Sequence, residues 1–118
     1  MAAPVVLVVD DDPEVRRVFV RALEADGMIV VEASTGGEAL RILLGDPSID
    51  VLVTDVMMPG ISGHSLVEQA AKLRPDLKTL MVTAYAPAGL VRDATTIMTK
   101  PFRLPDLCER VRTLCGLG

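Results

Sequence analysis

Short apolar runs alternate with amphipathic stretches along the whole chain, and that alternation restricts the fold more than any single motif. Val5 to Val9 is a continuous apolar run, the pattern of a parallel strand covered on both faces. Asp12 and Pro13 then supply a helix cap followed by proline at the first helical position. Val15, Val18, Phe19, Ala22 and Leu23 recur as one helical face, which Gly27 closes. Met28 to Ala33 reads as a second strand. Thr35 and Glu38 form a capping-box pattern before a helix with Ala39, Leu40, Leu43 and Leu44 as its buried stripe and Gly45 at its stop. Val51 to Thr54 is a third strand. A turn-rich stretch from Met58 to Gly63 follows, then a helix carrying Leu66, Val67, Ala70, Ala71 and Leu73 that Pro75 ends. Thr79 to Thr83 and Thr96 to Thr99 are strands four and five. A last helix, from about Pro105, places Leu107, Val111 and Leu114 on one face.

Strict alternation of strand and helix implies a parallel sheet with helices on both faces. The expected architecture is a doubly wound, five-stranded α/β fold, in one domain spanning residues 1–118. Half of the residues are apolar but only 3 % are aromatic, so the core must be built from Val, Leu, Ile, Ala and Met. The net charge of −4 argues against direct binding of nucleic acid, which needs a basic patch. The run Ala2 to Val9 is too short to span a bilayer, so neither a membrane segment nor a signal peptide is expected. Cys108 and Cys115, seven apart in a helical pattern, stand about 10 Å apart along the axis, too far for a disulfide. Two thiols in a reducing cytoplasm are the expectation.

Open parallel sheets bind ligands beyond the carboxyl ends of their strands, and the polar residues of this chain collect there. Asp10, Asp11 and Asp12 end strand one, Asp55 ends strand three, Thr83 ends strand four, and Lys100 follows strand five. Adjacent carboxylates repel unless a cation shares them, and hard oxygen ligands suit Mg²⁺. A solvated acidic loop would give the same letters, and for Asp12 a capping role is favoured. Asp55 is either a turn-initiating aspartate or, beside Mg²⁺, a carboxylate nucleophile toward phosphorus. Thr83 and Lys100 taken singly are a strand threonine and a surface lysine. Together at this rim they suit the equatorial oxygens of a phosphoryl group.

Four segments, VLVVDDDPEVRR, LVTDVMMPGISG, LMVTAYA and TKPFRLPDL, resemble in order the signature blocks of the response-regulator receiver family of two-component signalling, across essentially the whole chain. The resemblance implies the flavodoxin-like strand order 2-1-3-4-5, as in chemotaxis regulators. It implies Asp55 as the phosphoacceptor, Asp11 as a direct Mg²⁺ ligand, Asp10 acting through metal-bound water, and Met57 offering its backbone carbonyl. Thr83 matches the switch hydroxyl, Lys100 the phosphoryl-contacting lysine, and Lys100–Pro101 a position where the peptide is cis. The phosphoryl donor would be a histidine kinase or histidine phosphotransfer protein. The full-length chain could carry an output domain or belong to a hybrid kinase. Such a domain catalyses only its own phosphorylation and dephosphorylation. Two other readings are weaker: a pseudo-receiver that docks without taking phosphate, and a haloacid-dehalogenase-like phosphatase, which Asp10-Asp11-Asp12 also suggests. The second would need a further late acidic pair and a longer chain.

Two departures from the family pattern bear on switching. Ile97 stands where many receivers carry a rotating Tyr or Phe. Residues 84–95 number only twelve, against seventeen in 34–50 and twenty-three in 56–78. A whole crossover needs at least about 10–12 residues, so the fourth helix is expected to be shortened, with Pro87 and Gly89 weakening it further. Ordering of residues 84–95 over the site, with Tyr85 closing on the acyl phosphate, is the expected response. His64 and the Met57–Met58 pair are read as structural, the methionines as packing.

Overall fold

The computed structural model describes residues 3–83 and 95–116. Five strands, β1 (Val5–Val9), β2 (Ile29–Ala33), β3 (Val51–Asp55), β4 (Lys78–Thr83) and β5 (Thr95–Thr99), form one sheet. All neighbours are parallel, in the order β2-β1-β3-β4-β5. The helices among the described residues are α1 (Pro13–Ala25), α2 (Gly36–Gly45), α3 (Gly63–Leu73) and α4 (Leu104–Leu114). Every one of these elements falls within a residue or two of its sequence-based position. The shortened fourth helix is expected within residues 84–95, of which 84–94 lie outside the described residues and Thr95 begins β5.

Side chains alternate between the two faces of the sheet because the strand repeat is two residues. Val6, Val8, Val53 and Val82 pack with α1 and α4, whose contributions include Phe19, Leu23, Leu107 and Val111. Leu7, Val9, Leu52 and Met81 pack on the other side with α2 and α3, through residues such as Leu43 and Leu66. Both faces are therefore dry, which is why the strands read as unbroken apolar runs.

The caps work much as the sequence suggests. Asp12 accepts from the Glu14 and Val15 amides. At the far end of α1, Gly27 adopts φ +89°, and the Gly27 and Met28 amides donate to the Glu24 and Leu23 carbonyls, satisfying two end groups of the helix. Thr35 accepts from the Glu38 amide, but Glu38 reaches back to the Ser34 amide at 2.7 Å rather than to Thr35 itself, so the box closes one residue early.

Four side chains expected on the apolar faces of helices are exposed instead: Val18, Leu44, Ala71 and Leu73. Val18 is 47 % exposed, while Val20, left off the expected face, is buried. The inward stripe of α1 runs through positions 16, 19, 20 and 23, and at roughly 100° per residue Val18 points nearly opposite. On α2, Gly36, Ala39 and Leu43 define the buried line, and Leu44, about a quarter-turn beyond it, is 69 % exposed. Leu73, at the last turn of α3, is also exposed.

Strand order reverses at β1: the chain leaves it for β2 on one side and returns to β3 on the other. The loop after β3 is drawn tightly against the start of α3, where the Gly63 amide donates to the Val56 carbonyl at 2.9 Å. A Cβ on Gly63 would run into the Asp55 carbonyl oxygen and come within 2.8 Å of Val56 Cα. Both are backbone atoms that cannot swing aside. Gly63→Ala is therefore expected to destabilise the protein by about 2 kcal/mol or more. Gly37→Ala, with nothing near its added methyl, should cost nothing or stabilise by up to about 1 kcal/mol. Urea unfolding of both variants checks the contrast, and equal effects would contradict the tight loop.

Candidate functional site

The register of the central strands builds the site. Val9 pairs with Thr54, so the next step along each strand sets Asp10 beside Asp55 at the reversal point. Carboxylate oxygens of Asp10, Asp11 and Asp55 all lie within 4.8 Å of one another. Asp10 is only 2 % exposed; its amide donates to the Ala33 carbonyl at 3.3 Å and its Oδ1 accepts the Asp12 amide at 2.9 Å. Asp55 is half-buried, and its Oδ1 accepts the Met57 amide at 3.3 Å. Asp11 faces solvent. Asp12 is occupied with capping α1, as its position suggested.

Thr83 and Lys100 sit at the same rim. Thr83 is buried at the end of β4, and its carbonyl accepts the Lys100 amide at 2.7 Å. The Lys100–Pro101 peptide is cis, as the resemblance implied. The Lys100 ammonium stands 6.0 Å from the centroid of the Phe19 ring, close enough to the acids for its charge to act on Asp10. The methionine pair divides: Met58 packs on the α2–α3 side, whereas Met57 is 77 % exposed, so its side chain does no packing. Two residues after the strand end, the turn that brings the Met57 amide to Asp55 aims its side chain outward. His64 is half-buried on α3 and is not a member of the acidic group. Tyr85 lies outside the described residues.

Two residues that hold the acceptor loop were not picked out from the sequence. The buried Thr54 hydroxyl donates to the Asp55 carbonyl at 2.9 Å and lies 3.9 Å from Met58 Sδ. Gly63 admits the close backbone approach described above. Their signals were a hydroxyl inside an apolar strand just before a carboxylate, and a glycine at the first position of a helix.

The chain matches the family model described as the response regulator receiver domain over residues 6–112. It is 37 % identical over 116 residues to the sensor kinase CckA of Brucella abortus (strain 2308), covering 92 % of this chain but 12 % of that protein. It is 32 % identical over 114 residues to the response regulator receiver protein CpdR of the same organism, covering 92 % of this chain and 94 % of CpdR. Among solved structures, the response regulator TrrA of Thermotoga maritima superposes with a TM-score of 0.86 at 32 % identity, over 94 % of this chain and 98 % of the other.

Charge is what this site holds in excess. Burial lifts the Asp10 carboxyl above its ordinary range; the Asp55 and Asp11 carboxylates push the same way, against the Asp12 amide and the Lys100 ammonium. A carboxyl raised in the folded state binds its proton more tightly there than in the unfolded chain. Its stabilising contribution is present below the unfolded-state value and is lost as pH climbs through the folded-state value. As pH rises, Asp10 therefore works increasingly against folding. Asp10→Asn keeps the side-chain carbonyl that the Asp12 amide needs and removes the charge. Without metal, it should be more stable than the parent at neutral pH by about 1 kcal/mol, and the gain should shrink in acid. Urea titrations in chelator at both pH values test this; a variant less stable at neutral pH would contradict it.

Proposed function

This chain belongs to the response-regulator receiver family of two-component signalling, and from that premise we propose that it is a Mg²⁺-dependent phosphorelay receiver whose phosphoacceptor is Asp55. The observation that carries the reading is the convergence of Asp10, Asp11 and Asp55 at the strand-reversal point. Three oxygen donors with an excess of negative charge fit a hard divalent cation, and the related TrrA was solved in complex with Mg²⁺–BeF. Asp11, Asp55 and the Met57 carbonyl would hold the ion directly, and Asp10 would act through its water. Bound there, Mg²⁺ would neutralise charge on the carboxylates and on an incoming phosphoryl group.

The protein's own residues do the rest. An Asp55 carboxylate oxygen attacks phosphorus; the P–N bond of a phosphohistidine donor breaks as the P–O bond forms, and the departing imidazole takes up a proton. Thr83 and Lys100 offer a hydroxyl and an ammonium to the phosphoryl oxygens. Water later cleaves the acyl phosphate in the same site, so the catalysis is directed only at the protein's own aspartate. The donor would be a histidine kinase or histidine phosphotransfer protein in the cytoplasm. No described helix is long and apolar enough to cross a membrane. The whole chain, 1–118, would act as one receiver unit. The match to CckA, a small part of that kinase, and to CpdR over nearly its whole length supports either a hybrid-kinase or a stand-alone setting. Neither the docking-only reading nor the phosphatase reading is favoured by the family match.

Incubation with Mg²⁺ and a small phosphodonor should add one hydroxylamine-labile phosphoryl group, seen by intact mass. Asp55→Asn should abolish it, and Lys100→Ala should slow it by about a hundredfold with the fold intact. Labelling of Asp55→Asn at the parental rate would refute the assignment.

A further inference from the structure

Of the charged side chains on α1, Arg16 alone is turned inward; Glu14, Arg17, Arg21 and Glu24 are exposed. It occupies the buried stripe that continues through Phe19, Val20 and Leu23, where an apolar residue is the ordinary occupant. Its side chain is 18 % exposed, and the guanidinium is held along two edges. Nη1 donates to the Asp10 carbonyl at 2.8 Å, and Nε donates to Glu32 Oε1 on β2 at 3.0 Å.

We propose that Arg16 is a positioning residue for the cation site, fixing the Asp10–Asp11 peptide so that both carboxylates turn toward Asp55. The inference rests on the Mg²⁺ reading above and adds a residue to it. A peptide unit is rigid and planar, so holding the Asp10 carbonyl oxygen also fixes the amide of Asp11 at the other end. The Asp10 amide is already tied to Ala33 and its side chain to Asp12. The carbonyl is the remaining handle, and it decides where Asp11, the exposed member of the group, leaves the backbone. Glu32 pairs beside Val8 and holds the other edge of the planar group, which is a task for a guanidinium rather than an ammonium.

A positioning role and a mere charge effect predict opposite signs. If Arg16 acted only as a nearby positive charge, its removal would tighten cation binding. If it orients the loop, removal weakens binding, by about tenfold for a residue that acts through a ligand. The test is Mg²⁺ affinity by calorimetry for the parent, Arg16→Met and Arg16→Lys, with unfolding in chelator measured alongside. Arg16→Met should weaken Mg²⁺ about tenfold. Arg16→Lys, with the same charge but no two-edged grip, should stay weakened, and it carries the test if the Met variant does not fold. Unchanged Mg²⁺ affinity in folded variants, even with lower metal-free stability, would overturn the proposal, and so would tighter binding. Asp11→Ala separates the two levels. If Asp11→Ala loses Mg²⁺ while the Arg16 variants bind like the parent, only the Arg16 inference fails. A parent that binds no Mg²⁺ removes the cation reading and this inference with it.

Discussion

The parallel pairing of β1 with β3 is the constraint on which the rest depends. With Val9 opposite Thr54, the two strands end one residue later on Asp10 and Asp55, and neighbouring strands lie only about 4.8 Å apart. Nothing in the local sequence of either aspartate demands that they meet. The apolar faces of both strands do, because a slip of one residue would turn every core side chain toward the wrong helix layer. Hydrophobic burial thus holds together carboxylates that repel, and the repulsion is the property the proposed function uses.

The surroundings relieve that repulsion only in part. Asp10 keeps one amide donor and feels the Lys100 ammonium, yet burial still outweighs them. The loop after β3 is fixed through backbone contacts: Thr54 on the Asp55 carbonyl, Met57 on its carboxylate, and Gly63 on the Val56 carbonyl. On the β1 side, Arg16 does the same for Asp10. A site prepared in this way spends little on rearrangement when a cation or phosphoryl group arrives.

The sheet and most of the rim could be read from the sequence because each strand is a distinct apolar run that ends on a polar residue. Asp10, Asp11, Asp55, Thr83 and Lys100 were found by that rule together with the resemblance, and the structure brings the three acids together. Helix faces were less legible. The face expected on α1, Val15, Val18, Phe19, Ala22 and Leu23, fails only at Val18: the packed stripe is rotated slightly, centred on Phe19, Val20 and Leu23, with Val15 and Ala22 at its margin. The charge on Arg16, which lies along that stripe, hid the rotation. Thr54 and Gly63 escaped notice for a different reason: their importance lies in how closely two backbone segments approach, and that distance is a tertiary quantity.

A crystal structure of the protein grown with Mg²⁺ and beryllofluoride tests the central claim most directly. The account predicts beryllofluoride on the Asp55 carboxylate, one Mg²⁺ touching Asp11, Asp55 and the Met57 carbonyl, Asp10 on its water, and Thr83 and Lys100 on the fluorines. An adduct on Asp10 or Asp12, or a metal ion bound away from the three carboxylates, would contradict it.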